Sequence, residues 1–124
     1  MDLNVQSLRP DTPISEAVTF FLHRQVTGAP VVNETNEVVG LLSEKDCLRL
    51  LAIGDNFQPP SGVVGDFMTT TIKIIPSNMN IYFVAGMFLN DVVRRFPVVE
   101  NGKLVGAITR FDILRAIQTE LFSQ

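Results

Sequence analysis

Cysteine and histidine are scarce in this chain of 124 residues, with one of each. A lone cysteine, Cys47, excludes an internal disulfide and a cysteine-rich metal site. It suits a reducing compartment, and its plainest role is that of a small apolar residue in a helix. The single histidine, His23, falls on a predicted helix with no nucleophile or base beside it, so no catalytic residue is assigned and no enzyme is expected. The acidic residues are scattered and offer no metal site. No apolar run approaches the roughly 18 residues of a membrane span, and the segment MDLNVQSLRP has neither the basic nor the hydrophobic region of a signal peptide. A soluble, cytoplasmic protein with no membrane contact is the expectation. Basic charge is also short: ten Lys and Arg against thirteen Asp and Glu give a net charge of −3, which does not attract a nucleic-acid backbone. Any anion bound here must be met by local geometry.

What the chain does contain is 46% hydrophobic residues, written as two copies of one pattern. APVVNETNEVVGLLSEKDCLRLL at 29–51 lies on FPVVENGKLVGAITRFDILRAI at 96–117, with one residue fewer in the second turn. Upstream, Ile14 to Val26 lies on Ile81 to Val93, and Met1 to Pro10 on Met68 to Pro76 after another one-residue adjustment. Repeats of this kind govern the whole fold.

Each copy carries the same succession of signals. An alternating segment (VQSLR, then TIKII) predicts a strand, and a turn with Pro10 or Pro76 follows. Apolar residues at helical spacing (Ile14, Ala17, Val18, Phe21, Leu22; Ile81, Val84, Ala85, Phe88, Leu89) predict an amphipathic helix ending before Pro30 or Pro97. Pro-Val-Val, a polar turn and a second apolar run predict a hairpin, most clearly at Asn101-Gly102. Second helices are predicted from about Glu44 to Ile53 and from about Arg110 to Phe122. The expected fold class is α/β (α+β): two β-α-β-β-α repeats, residues 1–54 and 68–124, packed sheet to sheet. Residues 55–67, with Pro59, Pro60, Gly62 and Gly65 in or beside them, read as the linker. The apolar helix faces are extensive for a monomer, and symmetric self-association would cover them.

Two short motifs remain, GLLSEKD at 40–46 and GAITRFD at 106–112. Ser43 and Thr109 stand where a strand gives way to a helix, with Asp46 and Asp112 three residues on. That spacing fits a capping box, in which each side chain satisfies a free N–H of the first turn. It also fits a ligand site: a helix N-terminus favours phosphate, and a carboxylate there can accept hydrogen bonds from a neutral diol. Both readings stand on the spacing alone.

APVV with GLLSEKD, and FPVV with GAITRFD, at matching spacing and present twice, resemble the tandem pair of cystathionine beta-synthase (CBS) domains over essentially the whole chain. The resemblance implies a regulatory module rather than an enzyme, binding an adenine nucleotide (AMP, ADP, ATP) or S-adenosylmethionine in clefts between the repeats, with no cofactor required. It also implies a homodimer and a regulated protein or fused domain as partner. By the same resemblance Asp112 would accept the ribose hydroxyls and Thr109 would contact ribose or phosphate, with Asp46 and Ser43 in those roles in the other cleft. Arg95 matches the position of a phosphate-binding residue, where the first repeat has Gly28. The opening strand of the opposite repeat would contribute Asn4, Val5 and Gln6 to the first of these clefts and Thr70, Thr71, Ile72 and Lys73 to the second. Adenine would lie against these strands and against Ile108 or Leu42.

Local charge separates the copies. Residues 94–115 hold five basic side chains (Arg94, Arg95, Lys103, Arg110, Arg115) against two acidic, a balance of +3. Residues 27–49 hold two basic (Lys45, Arg49) against four acidic, a balance of −2. The second copy is therefore expected to make the better phosphate site, although Arg94 and Arg95 at a helix C-terminus also suit a simple capping and solubilising role. The lead-in VVGDFM before the second repeat has no counterpart before Met1. Either the chain is a fragment of a longer protein, or the first repeat has lost a piece of its cleft wall.

Overall fold

Two antiparallel hairpins carry the architecture. In the first, β1 (Gly28–Val32) pairs with β2 (Val38–Ser43); in the second, β4 (Arg95–Glu100) pairs with β5 (Lys103–Thr109). The Asn101-Gly102 turn of the second has φ of 53° and 79°, the left-handed pair that a two-residue hairpin loop needs and that Asn-Gly supplies with little strain. Each hairpin has an irregularity at the same place, Val31/Val32 and Val98/Val99. The repeat is thus preserved to the level of a bulge.

A computed structural model describes residues 1–53, 61–91 and 94–122; residues 54–60 of the linker region and 92–93 at the end of the repeat match lie outside them. Helix α1 (Ile14–Arg24) buries Ile14, Ala17 and Phe21, one stripe at helical spacing, and stops at Gln25 in the left-handed conformation. Helix α2 (Glu44–Ile53) follows β2 directly. One helical turn, α3 (Val64–Phe67), falls within the predicted linker, and its Val64 and Gly65 N–H groups donate to Thr12 and Pro10 carbonyls at 2.8 Å each. Helix α4 (Ile81–Leu89) starts at Asn80, whose side chain accepts from the Tyr82 N–H at 2.7 Å. Helix α5 (Arg110–Ile117) continues as a π-helical turn, Gln118–Phe122.

The outer strands are narrower than predicted. VQSLR contributes only a parallel bridge at Leu8 to Val31, and TIKII only β3 (Ile75–Pro76), parallel to Val98–Val99. In each segment strand pairing begins only near its C-terminal end, at Leu8 and at Ile75, and Pro76 itself adds no N–H to the ladder. Each segment buries one anchor, Leu8 at 6% and Ile75 at 3% exposure, which replaces the even alternation read from sequence.

Contacts divide the chain into two compact units, Gln6–Ile72, and Met1–Val5 with Lys73–Gln124. The first closes around Leu8, Ile14, Ala17, Phe21, Val31, Leu42 and Val64. The second closes around Ile75, Val84, Phe96, Val98 and Ile113. The first five residues therefore belong with the second repeat, which places them beside the GAITRFD motif.

Candidate functional site

The end of β5 sets the site. Thr109 is both its last residue and the N-cap of α5, so the chain turns from extended (φ −116°, ψ 170°) into helix at its hydroxyl. The Thr109 N–H donates to Asp112 Oδ2 at 2.8 Å, and the Asp112 N–H donates back to Thr109 Oγ1 at 3.4 Å. This is a complete capping box. It uses one carboxylate oxygen. The other, Oδ1, accepts from Arg115 Nη1 at 3.0 Å and from the Met1 ammonium at 3.1 Å. Burial pushes the Asp112 carboxyl up, but the Thr109 N–H bond, the ammonium and the Thr109 hydroxyl together outweigh it and hold the group below the usual carboxylate range.

Arg95 stands directly across β4–β5 from Thr109. Side chains of such a pair leave the same face of the sheet, so the guanidinium shares the face of the cap. Arg95 Nη2 is paired with Asp2 Oδ2 at 3.0 Å, and its Nε is buried with no hydrogen-bond partner among the described residues. Asp2 arrives there through a backbone bridge to Ala107: its N–H donates to the Ala107 carbonyl at 2.9 Å and its carbonyl accepts from the Ala107 N–H at 3.0 Å.

The first repeat builds the same arrangement. Ser43 N–H donates to Asp46 Oδ2 at 2.8 Å, Asp46 N–H donates to Ser43 Oγ at 3.3 Å, and Arg49 Nη1 reaches Asp46 Oδ1 at 3.0 Å. Leu41 exchanges two 2.9 Å backbone bonds with Thr69, as Ala107 does with Asp2. Two differences matter. Gly28 takes the place of Arg95 across from the cap residue, Ser43, and the Asp46 side chain is 6% exposed where that of Asp112 is 16%.

The glycine that opens each motif now has a cause. A Cβ on Gly106 would stand 2.8 Å from the Asp2 carbonyl oxygen, and one on Gly40 would stand 3.0 Å from that of Thr69. Only a bare backbone lets the lead-in segment lie so close. Gly106→Ala is accordingly expected to displace the lead-in, seen as faster amide exchange at Asp2 and Ala107 with α5 still protected; unchanged exchange at both would exclude this role.

Of the residues expected at the first site, Thr109, Asp112 and Arg95 come together. Asn4 sits two residues past Asp2, its N–H donating to Asp2 Oδ1 at 2.9 Å, and Val5 is half-buried. Arg110 is exposed at the first position of α5 and Ile108 is half-buried against the second core. Gln6 belongs to the other unit. Around Ser43 and Asp46, Lys45 is exposed on α2, Thr70 and Thr71 are exposed beyond the Thr69 bridge, and Leu42 is fully buried. Lys73 belongs to the unit of Met1–Val5 and pairs with Asp91 at 3.1 Å. Cys47 lies half-buried against the first core, its thiol pushed up by burial and then by Asp46, which fits packing rather than reactivity. Sequence reading missed Arg49 and Arg115 as partners of the aspartates, although Asp-x-x-Arg recurs in both copies, and missed Asp2 as the partner of Arg95.

The CBS domain family model matches residues 1–53 and 64–119. The chain belongs to the CBS domain family. It is 33% identical to protein MJ1225 of Methanocaldococcus jannaschii over 97% of its length, spanning 42% of that protein. It is 30% identical to the inosine-5′-monophosphate dehydrogenase of Aquifex aeolicus over 93% of its length, spanning 23% of that enzyme. These curated relatives are thus much longer than the matched CBS sequence. The crystal structure of CBSX2 in complex with AMP, a CBS-pair protein of Arabidopsis thaliana, is 32% identical and superposes with a TM-score of 0.78, covering 94% of this chain and 89% of that one. The tandem repeat read from the sequence is a CBS pair, and among the described residues no helix is long and apolar enough to cross a membrane.

Proposed function

We propose that this CBS pair is a regulatory, ligand-sensing module that binds an adenine nucleotide or a related adenosyl ligand at the Thr109–Asp112 site. One observation carries the reading: Asp112 spends one carboxylate oxygen in the capping box and offers the other to charged donors, while Arg95 stands across the hairpin from the cap residue Thr109. That second oxygen suits a ribose hydroxyl and Arg95 suits a phosphate. The AMP complex of CBSX2 supports the ligand class. Such a module acts by differential affinity: the ligand changes what a regulated protein or fused domain meets only insofar as it prefers one arrangement of the module. A cytoplasmic location, no required cofactor and no catalytic residue of its own belong to the same reading. So does a homodimer, supported by the exposed Tyr82, Phe83 and Leu89 of α4 and Phe111 and Leu114 of α5.

Titration calorimetry with AMP, ADP, ATP and S-adenosylmethionine tests it, with one nucleotide per chain expected. The Gly28/Arg95 difference gives a sharper form. A Cβ on Gly28 would meet nothing closer than the Leu42 carbonyl at 3.5 Å, an ordinary contact, so Gly28→Arg places a guanidinium opposite Ser43 as Arg95 is placed opposite Thr109. Its AMP stoichiometry is expected to rise to two; a value that stays at one shows that residue 28 does not set the asymmetry.

A second reading has its own observation, since both motifs form complete capping boxes from their own backbone and side chains. A ligand-free dimerisation or docking module would show no thermal shift with any adenylate. Ser43→Ala or Thr109→Ala would still lower its melting temperature, by the loss of a cap worth about 1 kcal/mol.

A further inference from the structure

The cation assigned to phosphate is already engaged. Asp2 Oδ2 lies 3.0 Å from Arg95 Nη2 across 93 residues of sequence, and this carboxylate is held in two ways. The Asp2 backbone is fixed by its double bond to Ala107, and Asp2 Oδ1 accepts from the Asn4 N–H at 2.9 Å. We propose that Asp2 is a built-in competitor for the phosphate on Arg95, so that it sets how strongly the site distinguishes phosphorylated from unphosphorylated adenosyl ligands. The inference rests on the Thr109–Asp112 site being the nucleotide site.

Charge and room decide which anion Arg95 holds. Arg95 carries a single positive charge, and a phosphate and a carboxylate brought to the same guanidinium repel one another. One must leave. The Asp2 side chain is 46% exposed while its backbone is pinned, so the carboxylate can turn into solvent without disturbing the strand pairing beneath it. A phosphate then takes the terminal nitrogen that Asp2 releases, near the buried Nε that has no partner among the described residues. An uncharged nucleoside makes no demand on Arg95 and leaves the pair in place.

Asp2→Asn removes the charge, keeps the shape and keeps an acceptor for the Asn4 N–H. Titration calorimetry of the full chain with AMP and with adenosine is the measurement. AMP affinity is expected to rise by about three- to tenfold, the scale of a partly exposed ion pair plus the repulsion removed. Adenosine affinity is expected to stay the same, and the gain for AMP to vanish in the double variant Asp2→Asn with Arg95→Gln. If wild type binds AMP and Asp2→Asn binds it no tighter, or gains equally for adenosine, the competitor role is overturned while the nucleotide site stands. If neither ligand binds either protein, the nucleotide site falls and the competitor role with it.

Discussion

Asp112→Ala is expected to weaken AMP binding by about tenfold or more. A hydrogen bond from a ribose hydroxyl to a carboxylate contributes roughly 1.5–3 kcal/mol, and each 1.4 kcal/mol is a factor of ten. Two roles must be separated, because Asp112 also closes the capping box through Oδ2. Asp112→Asn does so: its amide oxygen can still accept from the Thr109 N–H, but the charge offered to the diol is gone. Calorimetry should therefore show weakened AMP binding in both variants, while thermal melts show the larger loss of stability in Asp112→Ala. Wild-type affinity in both would remove Asp112 from the site. The pH dependence follows from the same contacts. Asp112 is held below its ordinary range in the folded protein, so its contribution to stability is full above the unfolded value of about 3.9 and is lost as pH falls through the lower, folded value. The difference between wild type and Asp112→Ala is expected to be constant from neutral pH to about pH 5 and to shrink only below about pH 4.

The repeat, both hairpins and the cap positions were legible because each leaves a local period or a fixed short spacing. Ser43 to Asp46 and Thr109 to Asp112 are three residues apart on one helical turn, and helix α2 occupies the predicted Glu44–Ile53. Asn101-Gly102 specifies its turn from two residues. Arg95 and Gly28 were matched by alignment, and the register explains why the match matters, since each faces the cap residue of its own repeat. What escaped were pairings between segments far apart. Nothing local in MDLNV announces that Asp2 will lie beside Ala107 and reach Arg95. The opening glycines had the same opacity: a glycine inside a strand pattern signals a bulge or a close approach, and only the partner backbone says which. The outer strands were overread for a related reason: alternation in VQSLR and TIKII predicts pairing along the whole segment, whereas the ladder takes in only Leu8 and Ile75–Pro76, and which residues meet a partner strand is not local information.

Phe96→Ala is expected to cost about 3–5 kcal/mol, a large part of the 5–15 kcal/mol that holds a typical domain folded. Phe96 is 1% exposed in the second core, and its ring meets that of Phe88 edge-on with centroids 4.7 Å apart. Truncation removes that contact and leaves a hole among Ile75, Val84, Val98 and Ile113, which rigid strands and helices only partly refill. Urea denaturation measures the loss, and a cost below about 1 kcal/mol would contradict this packing. Phe83 on α4 is the contrast, at 72% exposure in the single chain. In an isolated copy Phe83→Ala stays within about 0.5 kcal/mol of wild type. In the proposed homodimer its cost grows as protein concentration rises, because the second copy binds the folded chain and covers that face. A small, concentration-independent cost for Phe83→Ala would remove α4 from the dimer interface, whereas the cost of Phe96→Ala belongs to the core of the single chain.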